Sequence, residues 1–257
     1  ATHTTARSQT LQLRFRPRGG AQETYTLRYE GQLKDVDKKP GRYGNYLSFA
    51  LVKTPANATD QWLKQHITQA ATLHIAEVNA TFPVYMAPLL DREFRPSQAL
   101  GVTYSSSEGK KQPLLSVWAP TATAVRVVVK DDQGKPPAEA TQIVTQALTP
   151  KAKGVWQVQG PASWDRAYYQ LEIDVYQPLT QSFQTYRTTD PYAVSLSTNS
   201  EWSQFVDLSD PDLTPPQWAS AAQADPNPAA PEDWVLYELH VRDFSQKDPE
   251  VPDAHRG

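Results

Sequence analysis

Leu114-Leu-Ser-Val-Trp-Ala-Pro-Thr-Ala122 leads into Val125, Val127 and Val129, which alternate with Arg126 and Lys130. Residues two apart on an extended chain share a face, so this run predicts two strands that each bury one side. Asp131-Asp-Gln-Gly134 supplies the next turn, and Gly154-Val-Trp-Gln-Val-Gln-Gly160 is short enough for a single strand. From Tyr168 to Tyr176, Tyr169, Leu171, Ile173 and Val175 alternate with Gln170, Glu172 and Asp174. Short strands with a turn signal about every ten residues are the pattern of a β-sandwich.

Upstream the same periodicity continues more loosely. Leu11, Leu13 and Phe15, then Pro17-Arg-Gly-Gly20, then Tyr25, Leu27 and Tyr29 predict a β-hairpin with a loop longer than two residues. Lys34 to Gly41 is a polar turn segment, and Tyr46 to Leu51 predicts a further strand. Asp60 is placed to cap a short helix through Trp62 and His66. Thr72–Val78 and Thr81–Met86 read as two more strands separated by Asn79-Ala80. Residues 1–95 are expected to form a small β-rich domain, and 96–208 the sandwich. Asn57-Ala-Thr59 and Asn79-Ala-Thr81 fit the glycosylation acceptor triplet, which arises often by chance.

Downstream, Pro211, Pro215, Pro216, Pro226, Pro228 and Pro231 mark residues 209–233 as a stiff, extended linker. After it, Trp234-Val-Leu-Tyr-Glu-Leu-His-Val-Arg-Asp-Phe-Ser245 predicts a new strand. Val235, Tyr237, Leu239 and Val241 lie on one face, and Leu236, Glu238, His240 and Arg242 on the other.

The composition narrows the function. A formal net charge of -3, with no basic cluster among stacking aromatics, argues against nucleic-acid binding. No apolar run is long enough to span a bilayer. The first residues carry no signal-peptide pattern, which leaves a removed leader or a chain cut from something longer; the compartment stays open, with secretion or the periplasm preferred. With no cysteine, disulfides, thiolate nucleophiles and thiolate-bound zinc are excluded. His3, His66, His74 and His255 show no paired spacing on a helix that would suggest zinc, and neither metal nor cofactor is expected. There is no phosphate-binding glycine loop and no Gly-x-Ser-x-Gly elbow.

Tyr237-Glu-Leu-His240-Val-Arg-Asp243-Phe244-Ser resembles the first barrel strand of the α-amylase superfamily, glycoside hydrolase family thirteen. Asp-Phe-Ser after the arginine is most similar to the pullulanase and limit-dextrinase branch, which cleaves α-1,6 branch points of α-glucans. Val251-Pro252 and His255-Arg256-Gly257 resemble the segment after this strand in that branch. Val117-Trp-Ala-Pro-Thr-Ala122, Val155-Trp156, Ser163-Trp164 and Tyr168-Tyr169 resemble carbohydrate-binding module family forty-eight, an immunoglobulin-like sandwich. Thr189-Asp-Pro-Tyr-Ala-Val-Ser-Leu-Ser-Thr-Asn-Ser200 resembles the junction of sandwich and barrel. One departure is Asp165-Arg166-Ala167, which lies where that module family usually carries a glycine.

The fold implied is mainly β: a small β-rich domain, an immunoglobulin-like β-sandwich, a linker, and at 234–257 the opening strand of a truncated (β/α)₈ barrel. The function implied is the N-terminal part of an enzyme that hydrolyses α-1,6-glucosidic bonds in pullulan, amylopectin or limit dextrins. In that superfamily the reacting carboxylates come from later barrel strands, so no catalytic residue is expected here. Asp243 can be read as an acid or base or as scaffold, and His240 as a base or as a buried hydrogen-bonded residue; the second role is expected of each. The partner expected is an α-glucan, with the missing barrel in the same polypeptide. Exposed Trp or Tyr can stack on sugar C–H faces. Trp156 and Trp164, beside turns, are the substrate-binding candidates, whereas Trp118 is expected in the core. The competing functions are a stand-alone glucan-binding module, and an adhesion protein of two sandwiches, which would leave the barrel-type strand unexplained.

Overall fold

The computed structural model describes residues 10–17, 20–32, 47–52, 60–107, 110–132, 134–177, 180–218, 232 and 235–256. The polar turn at 34–41, Tyr46, Asn57-Ala-Thr59, linker residues 219–231 and Trp234 lie outside them. The chain divides into two units, residues 1–207 and 208–257.

The first unit opens with the predicted hairpin, β1 (Leu11–Arg16) and β2 (Glu23–Gln32), paired antiparallel from Leu11 opposite Leu27 to Phe15 opposite Glu23. β3 (Leu47–Leu51), α1 (Asp60–Ile67), β4 (Ala70–Ile75), β5 (Ala80–Pro83) and α2 (Ala87–Phe94) come next. The five strands form one antiparallel sheet in the order β3-β2-β1-β4-β5. Between β4 and β5 the chain turns through Asn79, whose φ of 47° is left-handed, a conformation asparagine tolerates better than most residues.

α1 covers the central strands through an aromatic cluster. Phe15, Tyr25, Trp62 and His66 meet edge to face, except that Trp62 and His66 stack at 4.1 Å. His66 is buried, with Nδ1 2.7 Å from the Trp62 carbonyl and Nε2 3.0 Å from Glu23. Hydrogen bonds from His66 and Tyr25 hold the Glu23 carboxyl below its usual range.

β6 (Gly101–Ser107), β7 (Lys110–Trp118), β8 (Ala124–Lys130), β9 (Ile143–Ala147), β10 (Thr149–Pro150), β11 (Val155–Gln159), β12 (Tyr168–Gln177), β13 (Ser182–Thr188) and β14 (Ser203–Gln204) build the sandwich. One sheet runs β10-β11-β7-β6 and the other β13-β12-β8-β9, with β14 on β12. The inward residues are those the alternation predicted: Val125, Val127 and Val129 of β8 and Tyr169 and Leu171 of β12 meet Leu115, Val117 and Val158. Leu148, Trp164, Ala167 and Phe205 close the core. The chain is thus mainly β, as the periodicity implied.

At the Asp165-Arg166-Ala167 departure, the residue with an unusual backbone is Arg166. Its φ of 67° is left-handed, so an arginine holds the conformation a glycine adopts without cost. Its N–H donates to the Phe205 carbonyl at 2.8 Å, and its own carbonyl accepts from Gln204 at 2.9 Å, which fixes the turn in place. Arg166→Gly should therefore raise the urea midpoint, with a gain of about 0.5–1 kcal/mol after the larger chain entropy of unfolded glycine is set against the relieved strain.

The second unit departs from expectation. Residues 235–240 have no regular structure and Val241–Ser245 forms a short helix, α3, in place of the strand that the alternation predicts. A strand requires a neighbour to take up its N–H and C=O groups, and none pairs with this segment among the described residues. Val235, Leu236 and Tyr237 are accordingly exposed. His240, expected buried, is exposed and caps α3 by accepting from the Asp243 N–H at 3.3 Å, and Asp243 pairs with Arg242 at 3.0 Å.

Candidate functional site

The two tryptophans expected to face solvent do not lie alike. Trp164 is only 1% exposed, packed against Phe205 at 5.3 Å and against the backbone of Gly160, where a Cβ would stand 2.3 Å from its ring. It has no free face for a sugar, and its expected place beside a surface turn is corrected: the 3₁₀ turn Ala162–Trp164 swings the indole inward. Trp156 is half-buried at the edge of the core, and its indole N–H donates to the Ala119 carbonyl at 3.0 Å. Trp118 is also half-buried, not enclosed in the core as expected, because it ends β7 and reaches beyond the sandwich.

What Trp118 reaches is the C-terminal end of α2. Its indole N–H is shared between the carbonyls of Phe94 at 2.9 Å and Lys153 at 3.2 Å. The Lys153 ammonium donates to the Glu93 carbonyl at 2.7 Å. The last carbonyls of a helix lack partners within it, and here two are satisfied by side chains of the sandwich. Lys153 and Gly154 are both left-handed, and a Cβ on Gly154 would stand 2.5 Å from Pro120, so this tight turn holds the lysine against the helix end.

A cleft of about 320 Å³ opens beside this joint, lined by Asp91, Arg95 and Pro96 from α2 and the residues after it, and by Trp118 and Tyr192 from the sandwich. Tyr192 belongs to the Thr189-Asp-Pro-Tyr run. Asp190 places it, accepting from the Tyr192 N–H at 2.8 Å through one carboxylate oxygen and from the Tyr169 hydroxyl at 2.8 Å through the other. Gly101 leaves the space, since a Cβ there would stand 2.9 Å from that of Tyr192. Burial raises the Asp190 carboxyl, against its hydrogen bonds from Tyr192 and Tyr169.

The other titratable cluster is the outer face of the β13-β12-β8 sheet. Arg126 forks onto Asp174 at 2.9 and 3.1 Å and also reaches Glu172, while Arg187 takes the other Glu172 oxygen at 2.7 Å. Arg187 and Arg126 hold Glu172 below the usual carboxylate range, so it stays ionised and has no proton to give at neutral pH. A retaining glycosidase needs one carboxyl kept protonated beside one ionised, and this ladder does not supply it.

Sequence reasoning flagged neither Asp91, Arg95 nor Tyr192. The signal for α2 was present: Pro88 in a first turn, with Ala87, Leu90 and Phe94 spaced three and four apart. The signal for Tyr192 was the Asp-Pro before it, a combination that starts turns.

Residues 99–193 match carbohydrate-binding module 48, the isoamylase N-terminal domain. Over 220 residues, 84% of this chain and 20% of the relative, the sequence is 33% identical to a pullulanase of Klebsiella pneumoniae. Over 170 residues it is 36% identical to pullulanase 1, chloroplastic, of Arabidopsis thaliana, covering 66% of this chain and 17% of that one. A solved maltotriose complex of a PulA mutant from Klebsiella pneumoniae matches with a TM-score of 0.65 at 25% identity, over 95% of this chain and 27% of that structure's chain. The chain thus spans about a fifth of the length of the curated relatives it matches. Residues 99–193 thus match a carbohydrate-binding module 48, within a chain whose similarity to pullulanases runs well beyond that match.

Proposed function

We propose that this chain is the N-terminal, non-catalytic part of a debranching glycoside hydrolase that cleaves α-1,6-glucosidic bonds in pullulan, amylopectin or limit dextrins. The observation that carries the reading is the similarity to a pullulanase across 84% of the chain, extending well beyond the module itself. In this reading residues 1–95 are a β-rich domain, 96–208 the module, 209–233 a linker and 234–257 the start of the catalytic barrel. The exposed Val235, Leu236, Tyr237 and Leu239 support it, because an apolar run at the surface is what a barrel strand leaves when its neighbours are not in the chain. The polypeptide made from the native gene should release reducing ends from pullulan, and the 257-residue chain alone should release none. A native gene product that leaves pullulan intact would overturn the assignment.

A further inference from the structure

We propose that the cleft between α2 and the sandwich, lined by Asp91, Arg95, Pro96, Trp118 and Tyr192, binds an α-glucan segment; this rests on the glucan-directed reading above and gives it a place on the molecule.

Both aromatic residues are placed before any ligand arrives, Trp118 through its ring and Tyr192 through its backbone. Trp118 is tethered by its indole N–H to the carbonyls of Phe94 and Lys153, and Tyr192 by the Asp190 turn and the space left at Gly101. The preset Trp118 ring loses little freedom on binding, and the apolar faces of both rings suit the C–H faces of a pyranose. The polar groups are available by contrast. Among the described residues neither Asp91 nor Arg95 forms a hydrogen bond or ion pair through its side chain, although they stand four apart at the end of one helix. A carboxylate accepts from hydroxyls, and a guanidinium offers five donors in a planar fork.

The balance of charge selects the class of ligand. One carboxylate and one guanidinium sum to zero, so the cleft favours a neutral ligand rich in hydroxyls over an anion or a cation. Its volume lies at the small end of the range of ligand sites, about 300–1,000 Å³, which fits one or two sugar units better than a long stretch of chain. A second groove of about 350 Å³, lined by residues including Gln146, Gln157, Gln159, Thr149 and Lys151, holds no aromatic residue, and its Gln157 and Gln159 amides already donate to Ser116 and to the Pro113 carbonyl.

The test is calorimetric titration of the full 257-residue chain with maltoheptaose. Tyr192→Ala and Arg95→Ala should each weaken binding at least tenfold, with circular dichroism and urea midpoints reporting that both variants fold. Tyr186→Ala serves as the control: it is an aromatic of similar exposure on β13, away from the cleft, and should leave binding unchanged. If maltoheptaose binds and the Tyr192 and Arg95 variants bind it equally well, the cleft is the wrong site while glucan binding stands. If the unaltered chain does not bind maltoheptaose, glucan binding by this part of the protein falls and the cleft with it, whereas the hydrolysis of pullulan by the native gene product is unaffected.

Discussion

Trp164→Ala should lower the unfolding free energy by about 3–5 kcal/mol, the usual cost of emptying the site of a large buried aromatic. The indole is 1% exposed and packs on Phe205, which itself lies 4.2 Å from Tyr169. Its loss would leave a void beside two further rings that are themselves fully buried. The void would open directly against the Gly160 backbone, whose Cβ position lies 2.3 Å from the indole. Set against a typical total of about 5–15 kcal/mol, the change would leave the domain marginal or unfolded at room temperature. Urea denaturation monitored by near-ultraviolet circular dichroism reads it, and a loss below about 1 kcal/mol would show that the ring does not carry the core. Trp164→Phe, which keeps most of the buried area, should lose much less. Any fall in glucan retention by Trp164→Ala would accordingly report unfolding and not a lost stacking platform, which reverses the role the sequence suggested for this residue.

That reversal marks where the sequence stopped being legible. Period-two alternation recovers β8 and β12 because a sandwich strand with one buried face must repeat every second residue, and Val125, Val127, Val129, Tyr169 and Leu171 all do. It says nothing about tryptophans at strand ends and turns, where the direction of the side chain is set by backbone geometry. Trp164 turns inward on a 3₁₀ turn, while Trp118, inside an apolar strand, projects past its end onto a helix. The same limit hid the cleft, since Asp91 and Arg95 come together with Tyr192 only through the contact of α2 with the sandwich, about a hundred residues apart in the chain. At 235–245 the alternation was genuine and the strand was not. Periodicity records which faces a segment can bury, whereas pairing needs a partner strand. The arginine at 166 is a different case: the departure from the family pattern was visible in the sequence, but only the structure shows that Arg166 takes a left-handed φ there.

Asp190→Ala should cost about 2–4 kcal/mol, because it removes at once an acceptor for the buried Tyr169 hydroxyl and the acceptor for the part-buried Tyr192 N–H. The Tyr169 hydroxyl is fully buried in the core, where the Ser203 side chain is its remaining hydrogen-bond partner, and the Tyr192 N–H loses the bond that shapes the turn. Asp190→Asn is the informative companion, since the amide keeps an oxygen for the Tyr192 N–H and carries no charge to desolvate. The sign of its pH dependence is set by burial. The native carboxyl is raised above its ordinary value of 3.8, so its contribution to stability is fully present below that value and is lost as pH rises through the folded-state value. Glu23 and Glu172, whose carboxyls are lowered, act in the opposite sense, with stability present above their ordinary value of 4.5 and lost as pH falls through their folded-state values. Both remain in the Asp190→Asn protein, so subtracting wild-type from variant stability at each pH cancels them. The difference should move in favour of the variant between acidic and neutral pH and then level off, as read from urea midpoints at about pH 3.5, 5 and 7, which bracket the ordinary carboxylate range from its lower edge upward. A difference that stays flat across that interval, or moves toward the wild type, would mean that Asp190 is not ionised against a desolvation cost in the native fold.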